Sequence, residues 1–336
     1  MMKKIIFLLL FLCSFSLFSC RESNRFKINV NKSRVNVDIK RFDKDLISIA
    51  PSDINEGVKE LYNKYPDFFP LYVESILSVP PSDTTRVTEL IDSFLTDSVF
   101  QRVNNDVQSK YDDIGDIEKS ISTAYTYIHH YFPQIHLPEV YFFVSGFNLS
   151  IMMEDEIAGM GVDMYLGSDY PLYQDLTYRY MVNSMKRDNL APDLISALLF
   201  STFRMDSGEG RLLDNMLYRG KVMYLLSVCM PDEKPGNLIG YTPEQIKWSE
   251  SNERKVWASI IDQKHLFSTD SFLIRKYVID APFTSPISQE SPGRLGTWMG
   301  WQIIKSYMQN NKNVTLQELM KENDYQKVLE ESGYRP

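Results

Sequence analysis

The chain opens with MMKKIIFLLLFLCSFSLFSC, and this segment constrains how everything after it can fold. Lys3 and Lys4 form a charged start, and Ile5 to Leu12 is an unbroken apolar run. Leu17-Phe18-Ser19-Cys20 then places a large apolar residue three before a cysteine and a small one just before it. That order is a bacterial export signal ending in a lipobox. The apolar run is too short to remain as a bilayer span and has no stop-transfer flank. The expected organisation is a lipoprotein signal peptide over 1–19, a lipidated tether over 20–25 and a single globular domain over 26–336. Acyl chains on Cys20 would hold the protein to a membrane at about 0.8 kcal/mol per buried CH₂, so several chains make a stable anchor.

The consequence for folding concerns sulfur. Cys13 leaves with the signal and Cys20 carries the lipid, so only Cys229 remains. No intrachain disulfide is available, although the compartment permits one. Cys229 lies in the apolar run VMYLLSVCM and is expected to be a buried, inert thiol. The core must therefore hold the fold. Cleavage removes 19 of the 336 residues and leaves 317, ample for a sizeable core. The formal charge is −8, or −10 once Lys3 and Lys4 are gone. That acidity argues against nucleic acid as a partner and against adhesion to anionic lipid beyond the acyl anchor. Twenty Tyr and nineteen Phe favour an aromatic-rich core or binding surface over disorder.

Periodicity predicts an α+β protein, mainly helical, with one small β-sheet. FKINV and RVNVDIKRF alternate apolar and polar residues and predict two strands within Phe26–Phe42; Asp43 is expected to cap a short helix. Helices follow to Pro133, which ends DIEKSISTAYTYIHHYFP. EVYFFVSG is a strand, Gly159 and Gly161 mark a tight backbone passage, and Val162 to Leu166 alternates again. Pro192 suits a first-turn position, and Gly210–Met230 is apolar on most sides, hence a buried helix. Thr242 to Gln245 and Thr315 to Glu318 spell capping boxes. Leu198, Leu199, Leu225, Leu226, Trp257, Trp301 and Ile304 are expected inside.

Catalytic patterns are scarce. His129, His130, His136 and His265 include no H-E-x-x-H pair, and there is no C-x-x-C, G-x-S-x-G or Walker A sequence. Glu154-Asp155-Glu156 suits a solvated loop. Asp163, Asp169 and Asp175 recur every six residues and could offer oxygen ligands to Ca²⁺, but fit no EF-hand spacing. No metal or cofactor is expected. Asp163, Tyr165, Asp169 and Tyr173 form the candidate binding surface in an aromatic stretch that also holds Tyr170, Tyr178 and Tyr180. Asp83-Thr84-Thr85 and Asp97-Ser98-Val99 match a short O-glycosylation pattern.

The C-terminal block RLGTWMGWQIIKSYMQNNKNVTLQELMKENDYQKVLEESGYRP resembles the end of the gliding-motility lipoprotein GldB family of Bacteroidota. DIKRFDKDLI, GVDMYLGSDYPLYQ and the order of helices after Pro192 match the same pattern. The layout also resembles a degenerate zincin-like metallopeptidase fold. There the helix Asp193–Phe203 would carry H-E-x-x-H but has neither His nor Glu, and Arg219-Gly220 stands where Glu-Gly would supply a third ligand. Zn²⁺ needs three deprotonated ligands, and an arginine there repels a cation. The resemblance implies a non-enzymatic lipoprotein, an assembly or accessory factor for gliding and the linked type IX secretion machinery. It would have envelope protein partners and sit on the periplasmic face of the outer membrane. Two other readings stand beside it: a carbohydrate- or peptide-binding envelope lipoprotein, and a residual hydrolase using Asp163, Asp169, Glu209 or Asp214.

Overall fold

The computed structural model describes residues 25–205 and 210–336, so the signal and Cys20 lie outside the described residues. The first half is helical: α1 (Phe42–Ile47), α2 (Ile54–Lys64), α3 (Phe68–Tyr72), α4 (Thr84–Thr96), α5 (Ser98–Lys110) and α6 (Gly115–Tyr131). Then come β1 (Glu139–Phe143), β2 (Ile151–Met153) and β3 (Ile157–Gly161). Two short turns of helix, α7 (Tyr173–Leu176) and α8 (Arg179–Val182), lead into α9 (Arg187–Thr202) and α10 (Leu212–Cys229). The remainder is α11 (Pro235–Ile239), α12 (Pro243–Asp262), α13 (Ser271–Val278), α14 (Leu295–Asn310), α15 (Leu316–Lys321) and α16 (Tyr325–Ser332). The fold is thus mainly helical with one small sheet. No helix among the described residues is long and apolar enough to cross a membrane.

The sheet runs β1-β3-β2. β1 lies parallel to β3, pairing Glu139 with Ile157 through Phe143 with Gly161, and β2 returns antiparallel, pairing Met152 with Gly159. Glu154-Asp155-Glu156 is the exposed hairpin turn. The two glycines are where the passage is tight: a Cβ at Gly159 would meet the Phe143 ring at 3.0 Å, and one at Gly161 would meet the Leu149 carbonyl at 2.0 Å.

Several expectations need correction. Phe26–Phe42 contributes no strand. Its backbone pairs with the sheet through a bridge at Lys40, whose N–H and C=O bond Val140 and Phe142. The extended segment instead lies along α6, and its N–H groups find side chains there. Val35 donates to Thr126 Oγ1, Val37 to Ser122 Oγ and Ile39 to Glu118 Oε1, at 3.0, 2.9 and 3.1 Å. Val162 to Tyr165 is a 3₁₀ turn, not a strand. Arg41 holds the N-cap place of α1, while Asp43 is buried in its first turn. Pro192 lies inside α9, which starts five residues earlier at Arg187. Trp257 is only half-buried, packed edge-on to Tyr334, because α12 keeps most of its surface in solvent.

The buried apolar residues form one cluster from Phe26 to Val328. The aromatic content goes inside: Phe42, Phe68, Tyr72 and Phe143 are interlocked, and Phe68 stacks on Tyr141 at 4.3 Å. The other expected core residues, Leu198, Leu199, Leu225, Leu226, Trp301 and Ile304, are buried. Both capping boxes form, Thr242 with Gln245 and Thr315 with Glu318. Asp83 and Asp97 are N-caps of α4 and α5, accepting from Arg86 N and from Val99 N and Phe100 N. Capping thus gives those Asp-Thr and Asp-Ser pairs a structural cause.

Candidate functional site

The sequence places a candidate surface at Asp163, Tyr165, Asp169 and Tyr173, and the structure takes it apart. Asp163, Tyr165 and Tyr173 are buried, and only Asp169 is exposed. The cause is a local knot. Asp163 Oδ1 accepts from Ser145 N at 2.9 Å, its Oδ2 accepts from Phe147 N at 2.7 Å, and Ser145 Oγ reaches both oxygens. Phe147 is held at a φ of +62°, a left-handed conformation that a bulky residue keeps only when its surroundings fix it. Tyr173 Oη donates to the Asp163 carbonyl and accepts from Leu166 N. Burial raises the Asp163 pKa, and the hydrogen bonds from Phe147 and Ser145 oppose that rise. This carboxylate organises a loop; its oxygens already have donors.

The other stretches that carry the resemblance are also explained by packing. In DIKRFDKDLI, Arg41 grips buried Asp43 through two bonds of 2.8 and 2.7 Å, while its other nitrogen donates to the Tyr111 carbonyl at 2.7 Å. Gln108 also donates to Asp43, so the pair clamps α1 to α5. In the C-terminal block, α14 crosses α10 at near-contact. A Cβ at Gly300 would lie 1.8 Å from the Met216 carbonyl, and one at Gly220 would lie 2.4 Å from Gly300. Gly220 is therefore a requirement of helix crossing. Trp298 and Trp301 are buried in the same helix, so they offer no sugar platform.

What packing leaves unexplained is a charged cluster where α9, α10 and the start of α14 meet. Asp193 projects from α9 and accepts from Tyr165 Oη at 2.9 Å. Crowding by protein pushes its pKa up to about 7, against the bond from Tyr165 and the charge of Arg294, which favour the carboxylate. Arg294, at a φ of +54° before α14, pairs with Asp280 at 2.8 Å and donates to the Ile239 carbonyl. Arg219 comes from α10 with its guanidinium 5.8 Å from the Phe200 ring centre, and Phe200 packs edge-on to Tyr218. Its Nε is buried with no acceptor. Desolvation depresses its pKa, and the positive charge of Arg294 adds to the effect.

These groups can recognise an anion and hold a proton on Asp193; they do not suit zinc. Two carboxylates, one of them paired with Arg294, no imidazole and two guanidiniums cannot make a three-ligand set. Among the described residues no three His, Cys, Asp or Glu side chains stand close enough to hold a metal. Of the carboxylates considered for hydrolysis or Ca²⁺, Asp163 is occupied, Asp214 is bound to Arg211 at 2.8 Å, Asp169 and Asp175 are exposed, and Glu209 lies outside the described residues. Of the four expected site residues only Tyr165 touches this cluster. Asp193 and Arg294 were missed. For Asp193 the available signal was a lone charge inside an apolar helical run, APDLISALLF; Arg294, in the loop before α14, carried no such signal.

These features define a mainly helical α+β protein whose shared sequence blocks are clamps, knots and crossings around one charged cluster. The chain belongs to the gliding motility protein GldB family, whose model matches residues 23–336. No curated protein and no solved structure matches it. Membership points to a gliding-motility lipoprotein of the cell envelope.

Proposed function

We propose that the protein is a non-enzymatic lipoprotein, anchored through Cys20 to the periplasmic face of the outer membrane. It serves as an assembly or accessory factor for the gliding and type IX secretion machinery, and it binds envelope proteins. Family membership over nearly the whole chain carries this reading. The residues after the cysteine, Arg21-Glu22-Ser23, support the membrane assignment, since no Asp follows Cys20 to retain it at the inner membrane. The finer fold reading, a zincin-like scaffold that has lost its metal, is supported by the pairing of α9 with α10 and by Asp193 and Arg219 facing one cluster from those helices.

A protein-binding role is also supported by the exposed apolar residues Leu176 at the end of α7, Tyr178 before α8 and Met181 on α8. The segment that carries them leads to the charged cluster. Ser184 follows Met181 by one turn and borders Gly240, which itself abuts Arg294. Crosslinking in cells with a tagged chain tests the reading, with Cys20→Ala as control. Secretion or motility components trapped only by the lipidated chain are expected. Recovery of the same proteins by both forms, or of none, sinks it.

A further inference from the structure

Five arginines among the described residues are half-buried, and four of them hold a carboxylate: Arg41 with Asp43, Arg187 with Asp116, Arg211 with Asp214 and Arg294 with Asp280. Arg219 is the fifth. It makes no hydrogen bond or ion pair with the described residues, and its Nε is sealed from solvent. Two residues along the same helix, buried Lys221 has protein partners, the carbonyls of Glu322 at 2.7 Å and Met320 at 3.4 Å. Drawing part of a charged group out of water without a partner is unfavourable, and an arginine never sheds its charge in a protein. The position makes physical sense when an anion from outside the chain completes it.

We infer that Arg219 anchors a carboxylate-binding site whose ligand is a peptide segment of a partner protein, bearing either an acidic side chain or a free C-terminus. The guanidinium offers its two terminal nitrogens, which are not sealed as Nε is, as a planar fork that matches a carboxylate in two parallel bonds. A doubly charged phosphate fits less well, because Asp193 and Asp280 lie in the same cluster and repel added negative charge. Phe200 and Tyr218 give the ligand an apolar wall. Arg294 is already neutralised by Asp280, which leaves Arg219 as the cluster's unpaired cation. Asp193, when protonated, adds a donor. The inference deepens the protein-binding reading and rests on it for the nature of the partner.

The test uses the full chain in detergent and follows the side-chain Nε–H signals of its arginines by NMR. The probes are an amidated peptide with one internal glutamate, the same peptide with glutamine instead, the glutamine peptide with a free C-terminal carboxylate, and inorganic phosphate. The Arg219 signal, identified by its loss in Arg219→Lys, is expected to move with one or both carboxylate peptides and to ignore the amidated glutamine peptide. Which carboxylate peptide moves it identifies the source. Arg219→Lys, with no fork, is expected to bind at least about tenfold more weakly. Arg219→Met supplies a readout without ligand: removing an unpaired, half-buried charge should leave Tm unchanged or raise it. No movement with either carboxylate peptide, equal movement with the glutamine control, a stronger response to phosphate, or a marked fall in Tm for Arg219→Met each overturns the inference. Partners captured in cells equally by wild type and Arg219→Met would sink this site while leaving the protein-binding reading intact. Carboxylate binding without any captured partner would do the reverse.

Discussion

Asp163 is buried and Asp193 half-buried, and their neighbours give them different work. Asp163 is surrounded by donors, so its replacement by leucine leaves Ser145 N and Phe147 N without acceptors. At about 1–3 kcal/mol for each orphaned donor, Asp163→Leu should lose roughly 4 kcal/mol by urea denaturation; a loss under about 1 would contradict the knot. Asp193 has one donor, Tyr165, and a pKa of about 7. An unfolded aspartate titrates near 4. Between those values the native chain keeps a proton that the unfolded chain has lost. Its contribution to stability is therefore fully present below about pH 4 and declines as pH rises through 7. Asp193→Asn should flatten that part of the stability profile, giving it a smaller loss than wild type between acid and neutral pH. Parallel slopes for the two proteins would refute the shifted carboxyl. A sequence shows that both residues are acidic; it does not show that one faces two backbone donors and the other a tyrosine hydroxyl, because both settings are built by residues far along the chain.

At the scale of elements, periodicity identifies conformation better than pairing. Val35, Val37 and Ile39 alternate as a strand should, and the segment is extended, yet its partner is a helix. The match is geometric. Two residues of extended chain advance about 6.6 Å, and four residues of helix about 6 Å, so Glu118, Ser122 and Thr126 meet every second N–H in antiparallel order. Alternation alone cannot distinguish that partner from a second strand. Ser122→Ala should cost about 1–2 kcal/mol by stranding Val37 N, and the loss should appear as faster hydrogen exchange at Val37. Unchanged exchange there would remove the helix-side ladder from the account. The glycines of α10 and α14 were more legible as a block than as a cause. Gly→Ala inside an exposed helix gains about 1 kcal/mol, but at Gly300 the new methyl would strike the Met216 carbonyl. Gly300→Ala is expected to destabilise by at least about 2 kcal/mol, and a stabilised variant would mean that the two helices can move apart.

For the whole molecule, α14 sets a direction. Arg25, where the described chain begins, donates to the carbonyls of Asn311, Lys312 and Val314, just past the carboxyl end of that helix. The position is favourable for a cation. Arg294 precedes the amino end and belongs to the charged cluster. Sixteen residues at about 1.5 Å each separate the two ends by roughly 24 Å. Five residues from Cys20 to Arg25 reach at most about 18 Å, less than the helix length. On the proposed anchoring, an acyl chain on Cys20 would lie nearer the Lys312 end, and the Arg219 cluster would face away from the bilayer, where a partner could approach it. Cys229 is buried, and its raised pKa keeps it unreactive, so single introduced cysteines can be labelled selectively. With the lipidated chain in vesicles containing a headgroup quencher, a fluorophore at Lys312→Cys should be quenched strongly and one at Asn183→Cys, exposed beside the cluster, weakly. Equal quenching at both positions, or the reverse order, would mean that the cluster lies against the membrane and that its ligand must come from the lipid side.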